Sequence, residues 1–336
     1  MKAMILDKTD RIENNPLKFR DVNIKNPADK EILIKNISCG VCRSNLHMIE
    51  GEWNLYGVPA KLPIIPGHEV IGRVEELGDN VTALKKGDMV GVQPLFEACG
   101  KCEYCLDGRE NLCPYGKYTG ESVDGGFAEY MIANSEYVTR IPETIDPMNS
   151  PLFCPGVTAY SAIKKAELSP GKTVYIVGIG GVGHIAIQIA KLYGANVVAV
   201  TTSKKHKELA YKMGADDSII LDNSNNALKA MNSTADSLVI FAPDDNVMRR
   251  SLNFVKDGGI VVQGVIGNFG PILSPRELTI KGTKIGTRSE MNEVIKLASS
   301  GKIKIEYKKY PLDEANQSLQ DLKKGIINGR AILTFK

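Results

Sequence analysis

The sequence predicts an α/β protein of two domains, one mostly β and one built on a doubly wound parallel sheet. The chain has 336 residues, which corresponds to about two domains at roughly 150 residues each. Its first part alternates short apolar runs with Gly, Pro, Asn and Asp turns, as β domains with long loops do. Its second part alternates apolar strands with helical stretches, and the first strand and helix are joined by a glycine turn.

The composition is typical of a folded globular protein, with 43% apolar and 24% charged residues. The formal net charge is only +3 and no basic arm is present, so we expect no nucleic-acid partner. No apolar stretch approaches the roughly 18 residues that cross a bilayer, so we expect no membrane partner. Asp7 interrupts the N-terminus before a secretory apolar segment can form. We therefore expect a cytoplasmic protein.

The predicted elements follow in chain order. In the first part, strands are expected at residues 31–37, 70–77, 89–92 and 127–132. The second part begins with a βαβ unit and continues as further strands alternating with helices. The expected strands there are 173–177, 196–200, 218–221, 237–241 and 259–264, and the expected helices are 184–193, 204–213 and 245–255. The remaining chain predicts a helix at 290–300, extended residues at 303–310, a helix at 312–324 and a strand at 331–335. Periodicity alone does not assign these last elements to either domain.

Four of the seven cysteines lie within 15 residues, with the spacing C-x2-C-x2-C-x7-C. In a reducing compartment, clustered cysteines hold metal more often than they form disulfides. Four thiolates on a glycine-containing loop suit a structural zinc ion. An iron–sulfur cluster is the rival, since Pro114 follows the last cysteine, but the last spacing is wrong for it. The predicted structural zinc ligands are Cys99, Cys102, Cys105 and Cys113.

Three further candidate ligands, Cys42, His68 and Cys154, are too far apart in sequence for spacing to group them. Singly, each also fits an ordinary buried cysteine or a hydrogen-bonded histidine. Their turn-rich surroundings favour a metal role for Cys42 and His68. Two thiolates and one imidazole would leave one position of a zinc ion open, which is the catalytic arrangement.

A G-x-G-x-x-G turn follows the first strand of the second part and opens a helix. It comprises Gly178, Gly180, Gly181, Val182 and Gly183. In this context the glycines permit a tight turn and the approach of a pyrophosphate to the helix N-terminus, so we expect a dinucleotide cofactor.

The end of the next strand bears on the choice between NAD(H) and NADP(H). An acidic residue would be expected there for NAD, but the chain has Thr201, Thr202 and Ser203, with Lys207 shortly after. Hydroxyls followed by cations suit a 2′-phosphate, so NADP(H) is favoured over NAD(H). The alternative is that Lys204, Lys205 and Lys207 form only the solvated start of a helix.

Taken together, these residues resemble the zinc-containing medium-chain alcohol dehydrogenases over essentially the whole chain. The family motif G-H-E-x-x-G-x5-G-x2-V is present from Gly67 to Val81, with Gly72 and Gly78 in place. The resemblance implies a GroES-like catalytic domain formed by residues 1–153 and 288–336. Residues 154–287 would form a Rossmann dinucleotide-binding domain, with the active site between the two.

The resemblance also implies roles for individual residues. Cys42, His68 and Cys154 would hold a catalytic zinc, giving two zinc ions per chain, and Cys39 receives no role. Ser44 would take the alcohol proton, His47 would relay it toward solvent, and Glu69 would approach the metal from behind. The family further implies cofactor phosphate contacts at Arg43 and Arg330 and a substrate pocket lined by Phe96 and Trp53. Many relatives have Asp where this chain has Asn45; an amide can orient the zinc-bound imidazole but supplies no charge.

The implied activity is a zinc-dependent transfer of a hydride between an alcohol and a nicotinamide cofactor, or the reverse reduction of an aldehyde. The hydroxyl-rich strand end is similar to the cinnamyl-alcohol-dehydrogenase-like branch, which prefers NADP. The resemblance also implies a homodimer or homotetramer. Two alternatives stay open: a zinc-independent enoyl or quinone reductase of the same superfamily, and a non-catalytic zinc-binding interaction protein.

Overall fold

A computed structural model describes residues 1–221, 234–272 and 274–335. The chain forms two compact units. Unit 1 comprises Met1–Cys154, Thr287–Ser299 and Tyr307–Lys336, and unit 2 comprises Pro155–Gly286 and Ser300–Glu306. Residues 300–306, which the sequence analysis placed with the first part, are held in unit 2 by Gln188. Its side chain exchanges two 2.8 Å hydrogen bonds with the backbone of Lys304.

Unit 1 is organised around a seven-stranded sheet in the order β16-β17-β3-β4-β5-β9, with β8 also paired to β3. Only β16 and β17 pair in parallel; the other pairs are antiparallel. Two small sheets, β1-β2 and β6-β7, complete the strands. The bounds are β1 Lys2–Leu6, β2 Leu17–Asp21, β3 Glu31–Val41, β4 Val70–Leu77, β5 Met89–Val92, β6 Leu95–Glu97, β7 Lys117–Tyr118, β8 Tyr130–Asn134, β9 Val138–Arg140, β16 Tyr307–Pro311 and β17 Arg330–Thr334.

The helices of unit 1 are short and lie between these strands. They are α1 Arg43–Ile49, α2 Glu103–Leu106, α7 Arg288–Ser299 and α8 Ala315–Lys323, with 3₁₀-helices at Ile12–Asn14, Asn54–Tyr56, Glu110–Leu112, Pro147–Phe153 and Leu312–Glu314. Fully buried side chains such as Met4, Ile32, Ile34 and Phe127 form one apolar cluster in this unit. The sheet and its cluster therefore provide a rigid base for the loops that leave the strand ends.

Unit 2 is a parallel sheet in the order β12-β11-β10-β13-β14-β15. Its strands are β10 Thr173–Val177, β11 Asn196–Thr201, β12 Asp217–Ile220, β13 Ala235–Ile240, β14 Val255–Gln263 and β15 Thr279–Gly282. Its helices are α3 Pro155–Lys165, α4 Gly183–Leu192, α5 Lys204–Lys212 and α6 Asp245–Ser251, with 3₁₀-helices at Leu252–Phe254 and Ser274–Arg276. The strands are all parallel, but their order reverses at β10: β11 and β12 lie on one side of it, and β13, β14 and β15 lie on the other. Ligands of such sheets bind beside the carboxyl ends of the strands at this point.

The predicted α/β fold is confirmed, and strands 70–77, 89–92 and 173–177 have the predicted bounds. The predicted helix at 245–255 is wrong at its end, because α6 stops at Ser251 and β14 starts at Val255, which pairs with Ala235 of β13. Apolar residues of a buried parallel strand and of a buried helix face are alike, so periodicity did not separate them. None of the helices in the described ranges is long and apolar enough to span a membrane.

Candidate functional site

The cysteine quartet forms a closed cluster in unit 1. Cys102 is the N-cap of α2 and Cys113 follows the 3₁₀-helix Glu110–Leu112, so two short helical turns fold the loop back on itself. The four Sγ atoms all lie within 4.8 Å of one another. Two of the separations are 3.5 Å, from Cys102 to Cys105, and 4.0 Å, from Cys99 to Cys105. Sulfurs around a tetrahedral zinc ion are about 3.8 Å apart, so the cluster fits such an ion.

The quartet cannot ionise fully without a cation. Backbone N–H groups lower the pKa of Cys99 to about 6, whereas burial raises the pKa of Cys105 to about 12. All seven cysteines of the chain are free thiols. A divalent metal would supply the charge that four neighbouring thiolates need.

Cys42, His68 and Cys154, which spacing could not group, are brought together at strand ends. Cys42 follows β3 as the N-cap of α1, and His68 lies just before β4. Because β3 and β4 are antiparallel, with Cys39 opposite Val70, the end of one strand lies beside the start of the other. Cys154 ends the 3₁₀-helix Pro147–Phe153. One donor atom from each of the three, and one carboxylate oxygen of Glu69, lie within 4.8 Å of one another.

Two glycines make this packing possible. A Cβ on Gly40 would lie 1.9 Å from Oε2 of Glu69, so only glycine lets that carboxylate reach β3. A Cβ on Gly91 would lie 1.7 Å from the ring of Phe153, which is fully buried and precedes Cys154. The backbone of the sheet therefore sets the positions of both the carboxylate and the third thiol.

Glu69 is fully buried and forms an ion pair with Arg330, at the start of β17. Both of its oxygens accept hydrogen bonds from Nη2 of Arg330, at 2.5 and 2.6 Å. Burial raises the pKa of Glu69 to about 7, against the opposing effect of the guanidinium. Arg330 was predicted to contact a cofactor phosphate, and the structure places it on Glu69 with its buried Nε lacking a hydrogen-bond partner among the described residues. The pairing with Glu69 was not anticipated from sequence.

The three candidate ligands perturb one another. The Cys154 thiol contacts Cys42 at 3.9 Å between sulfurs and lowers the pKa of Cys42 well below its usual value. The same contact raises the pKa of Cys154. Burial alone would lower the pKa of His68, but the hydrogen bond and charge of Cys42, together with the charges of Glu69 and Glu121, raise that pKa. A buried thiolate beside an imidazole is a donor set that fits zinc.

The predicted proton-relay residues lie on α1. Oγ of Ser44 is 3.4 Å from Nε2 of His68, next to the candidate ligands. Nδ1 of His47 is 2.6 Å from Oε2 of Glu52, and its ring stacks on Trp53 with centroids 5.4 Å apart. The carboxylate of Glu52 was missed by the sequence analysis, because no motif marks it. Arg43, a predicted phosphate contact, begins α1 and is half-buried.

The two residues predicted to line a substrate pocket have different surroundings. Phe96 lines a cavity of about 600 Å³ in unit 1, together with apolar residues that include Ile64, Ile65 and Met131. None of the three candidate metal ligands lines that cavity. Trp53 packs on His47. The substrate pocket therefore stays a prediction.

Three glycines of the turn in unit 2 differ in what surrounds them. Gly178 has φ +90°, and a Cβ there would lie 2.7 Å from the backbone nitrogen of Ala242. A Cβ on Gly183 would lie 2.1 Å from the carbonyl oxygen of Gly178, so this glycine lets α4 approach the strand. Apart from its two chain neighbours, no described residue lies within 4 Å of a Cβ on Gly180. Its bare backbone is thus not required by packing, and it suits the approach of a ligand phosphate to the N-terminus of α4.

The residues predicted to contact a 2′-phosphate lie at the end of β11 and in the first turn of α5. Thr201 is buried, Thr202 is exposed, and Ser203 is the N-cap of α5. Oγ1 of Thr201 accepts a 3.2 Å hydrogen bond from the backbone N–H of Ser203. Lys207 lies in the first turn of α5, with its ammonium 5.9 Å from the ring centroid of Tyr211. Thr202 is therefore exposed at the end of β11, and Lys207 lies on the helix that follows this strand.

Comparison with known proteins agrees with this geometry. Residues 28–143 match the alcohol dehydrogenase GroES-like domain, and residues 181–300 match the zinc-binding dehydrogenase domain. An alcohol dehydrogenase of Geobacillus stearothermophilus is 38% identical, over all of this chain and 99% of its own length. The crystal structure of the alcohol dehydrogenase of the archaeon Aeropyrum pernix superposes with a TM-score of 0.91 at 30% identity, covering 99% of this chain and 100% of that one. A cinnamyl alcohol dehydrogenase of Sorghum bicolor superposes with a TM-score of 0.88 at 27% identity, covering 99% and 96%.

Three observations lead to the same assignment: full-length similarity to the Geobacillus enzyme, a match to both family domains, and two thiol-rich clusters. The chain belongs to the zinc-containing medium-chain alcohol dehydrogenase family.

Proposed function

We propose that the chain is a zinc-dependent alcohol dehydrogenase that prefers NADP(H) and binds two zinc ions. The observation that carries the proposal is the convergence of Cys42, His68 and Cys154 beside the buried Glu69. A zinc-independent reductase would not need this donor set. The free thiols are consistent with a reducing compartment, and we propose a cytoplasmic homodimer or homotetramer.

In this proposal each unit has one task. Unit 1, which includes Cys154, supplies the metal ligands and the proton path, and unit 2 binds the cofactor. Cys99, Cys102, Cys105 and Cys113 would hold a structural zinc. Cys42, His68 and Cys154 would hold a second zinc, which supplies Lewis acidity to the alcohol oxygen. Four protein sulfurs close the first site, whereas three ligands leave the second site open to a substrate.

The side chains then handle the proton that an alcohol loses on oxidation. A nicotinamide cofactor held by the glycine turn of unit 2 would supply the hydride acceptor for the carbinol carbon, and the hydroxyl proton would leave as the carbonyl forms. Ser44 accepts that proton at Oγ, which lies 3.4 Å from Nε2 of His68, and releases its own hydroxyl proton toward His47. His47 passes a proton to solvent, and Glu52 fixes its ring through the 2.6 Å contact at Nδ1. In the reverse direction Ser44 returns the proton to an aldehyde.

Hydride transfer to a panel of aldehydes and α,β-unsaturated carbonyls, with zinc measured on the same sample, tests the proposal. We expect aldehyde reduction that is faster with NADPH than with NADH, and about two zinc ions per chain, one for each donor set. Double-bond reduction would contradict the alcohol dehydrogenase assignment, and one zinc per chain would contradict the second metal site. A preference for NADH would refute only the cofactor proposal.

The cofactor preference itself is tested by Lys207→Ala. Charge-assisted hydrogen bonds contribute about 1.5–3 kcal/mol, so loss of the ammonium should raise KM for NADPH about tenfold or more. The KM for NADH should not change, because NADH carries no 2′-phosphate. Lys204→Ala is the matched control, since Lys204 is an exposed lysine of the same helix. Equal effects of Lys207→Ala on both cofactors would contradict the 2′-phosphate contact.

A further inference from the structure

Asn45 is a buried amide between two groups of the candidate metal site, with only 1% of its surface exposed. Its Oδ1 accepts a 3.2 Å hydrogen bond from the backbone N–H of Cys42, which caps the start of α1. Its Nδ2 lies 3.4 Å from Nδ1 of His68. The amide therefore contacts two proposed ligands: Cys42 at its backbone nitrogen and His68 at its imidazole ring.

Once His68 binds a metal, both neighbours of Asn45 need a hydrogen-bond acceptor. Nε2 of His68 faces Ser44, and Nδ1 faces Asn45, so Nε2 is the ring nitrogen available to the metal. A neutral imidazole that binds a metal through Nε2 carries its proton on Nδ1, which then needs an acceptor. The backbone N–H of Cys42 is always a donor. Both neighbours of Asn45 are then donors, while an amide has only one oxygen.

Neither orientation of the amide satisfies both neighbours. With Oδ1 on Cys42, as here, Nδ2 donates to Nδ1 of His68 and favours the tautomer that carries its proton on Nε2. That proton occupies the position that a metal needs. If the amide turns over, Oδ1 accepts from His68 but Nδ2 faces the N–H of Cys42, and the cap of α1 is lost. A carboxylate of the same size would accept from both.

We propose that Asn45 is a positioning residue that opposes metal binding at His68, so that the Cys42–His68–Cys154 site holds its zinc more loosely than the quartet does. The inference rests on the proposed function only in taking these three residues as ligands of one metal. In the metal-free protein Asn45 selects the Nε2–H tautomer of His68. Metal binding then costs one buried hydrogen bond and makes the zinc of this site exchangeable.

Nitrogen NMR of the metal-free, histidine-labelled protein tests the tautomer directly, at a pH above the raised pKa of His68, where the ring is neutral and carries one proton. The chain has four histidines, and His68→Gln identifies the signal of His68. We expect the Nε2–H form in the wild type and the Nδ1–H form in Asn45→Asp. An Nδ1–H form in the wild type would overturn the proposal.

Zinc competition with a chelator tests the consequence for affinity. Asn45→Asp should bind the second zinc about 10- to 100-fold more tightly, the usual effect of residues that orient a ligand. An added charge could also do this, so Asn45→Leu, which matches the amide in size but forms no hydrogen bond, is the decisive variant. We expect Asn45→Leu to bind that zinc at least as tightly as the wild type. A tenfold loss would show that Asn45 supports the metal and would overturn the proposal, as would an unchanged affinity in Asn45→Asp.

The quartet serves as the internal control, because its zinc should be released equally slowly in all three proteins. Uptake of only one zinc by the wild type would refute the ligand assignment of the proposed function. The tautomer measurement needs no metal, and its result would still decide what Asn45 does.

Discussion

Replacing Cys154 with serine should abolish activity without unfolding the chain. Serine is nearly the same size as cysteine, but its hydroxyl does not form the thiolate that zinc binds. A metal ion contributes several kcal/mol of charge stabilisation to a transition state, and each 1.4 kcal/mol changes the rate about tenfold. We therefore expect kcat to fall by about a thousandfold or more, and the zinc content to fall from two to one per chain.

Cys39→Ala provides the matched control for this result. Cys39 is a fully buried cysteine three residues before Cys42, and its Sγ donates a 3.6 Å hydrogen bond to the backbone carbonyl of Gly40. Its substitution should leave two zinc ions and most of the activity in place. Wild-type turnover in Cys154→Ser would show that Cys154 is not a ligand, and a loss of activity in both variants would point to general damage of unit 1.

Replacing Arg330 with leucine should destabilise unit 1 by about 3–5 kcal/mol. The guanidinium is 4% exposed and the carboxylate of Glu69 is fully buried, so the substitution leaves an unpaired charge in the interior. Trp53, the only tryptophan of the chain, lies in unit 1. Its fluorescence during urea unfolding therefore reports the stability of this unit rather than that of unit 2.

The double variant Arg330→Leu/Glu69→Gln separates the charge from the packing. Removing both charges should recover part of the lost stability, because no ion remains buried without a partner. A loss below 1 kcal/mol in Arg330→Leu, or no recovery in the double variant, would show that the ion pair contributes little to the fold.

The parallel sheet of unit 2 was predictable because its features are local. Buried parallel strands are continuous apolar runs, and the glycine turn with its helix occupies consecutive residues. The strands β1 and β2 were missed, since they form a separate two-stranded sheet in which β1 is mostly buried and β2 mostly exposed, so neither shows the alternation of a half-buried strand. The cysteine quartet was also predictable, because its spacing lies within one loop.

Only the family resemblance grouped the second donor set; residue spacing could not, because the geometry of this set depends on strand register. The pairing of Cys39 with Val70 brings Cys42 beside His68, and no local pattern encodes that register. The same holds for Glu69, whose partner Arg330 is 261 residues away. Glu52 lies only five residues from His47, but a carboxylate beyond the end of a short helix is common and carries no signal.

The discontinuity of unit 1 has a consequence for how the protein is made. During synthesis Cys42, His68, Glu69 and Cys154 all leave the ribosome well before Arg330. Until β17 arrives, β3 lacks its partner on that side, and an open strand edge can pair with other chains. Unit 2 is almost continuous in sequence, so it can fold before the last strand of unit 1 has been synthesised. The candidate metal site, with its buried carboxylate, is therefore completed only after Arg330 has been synthesised.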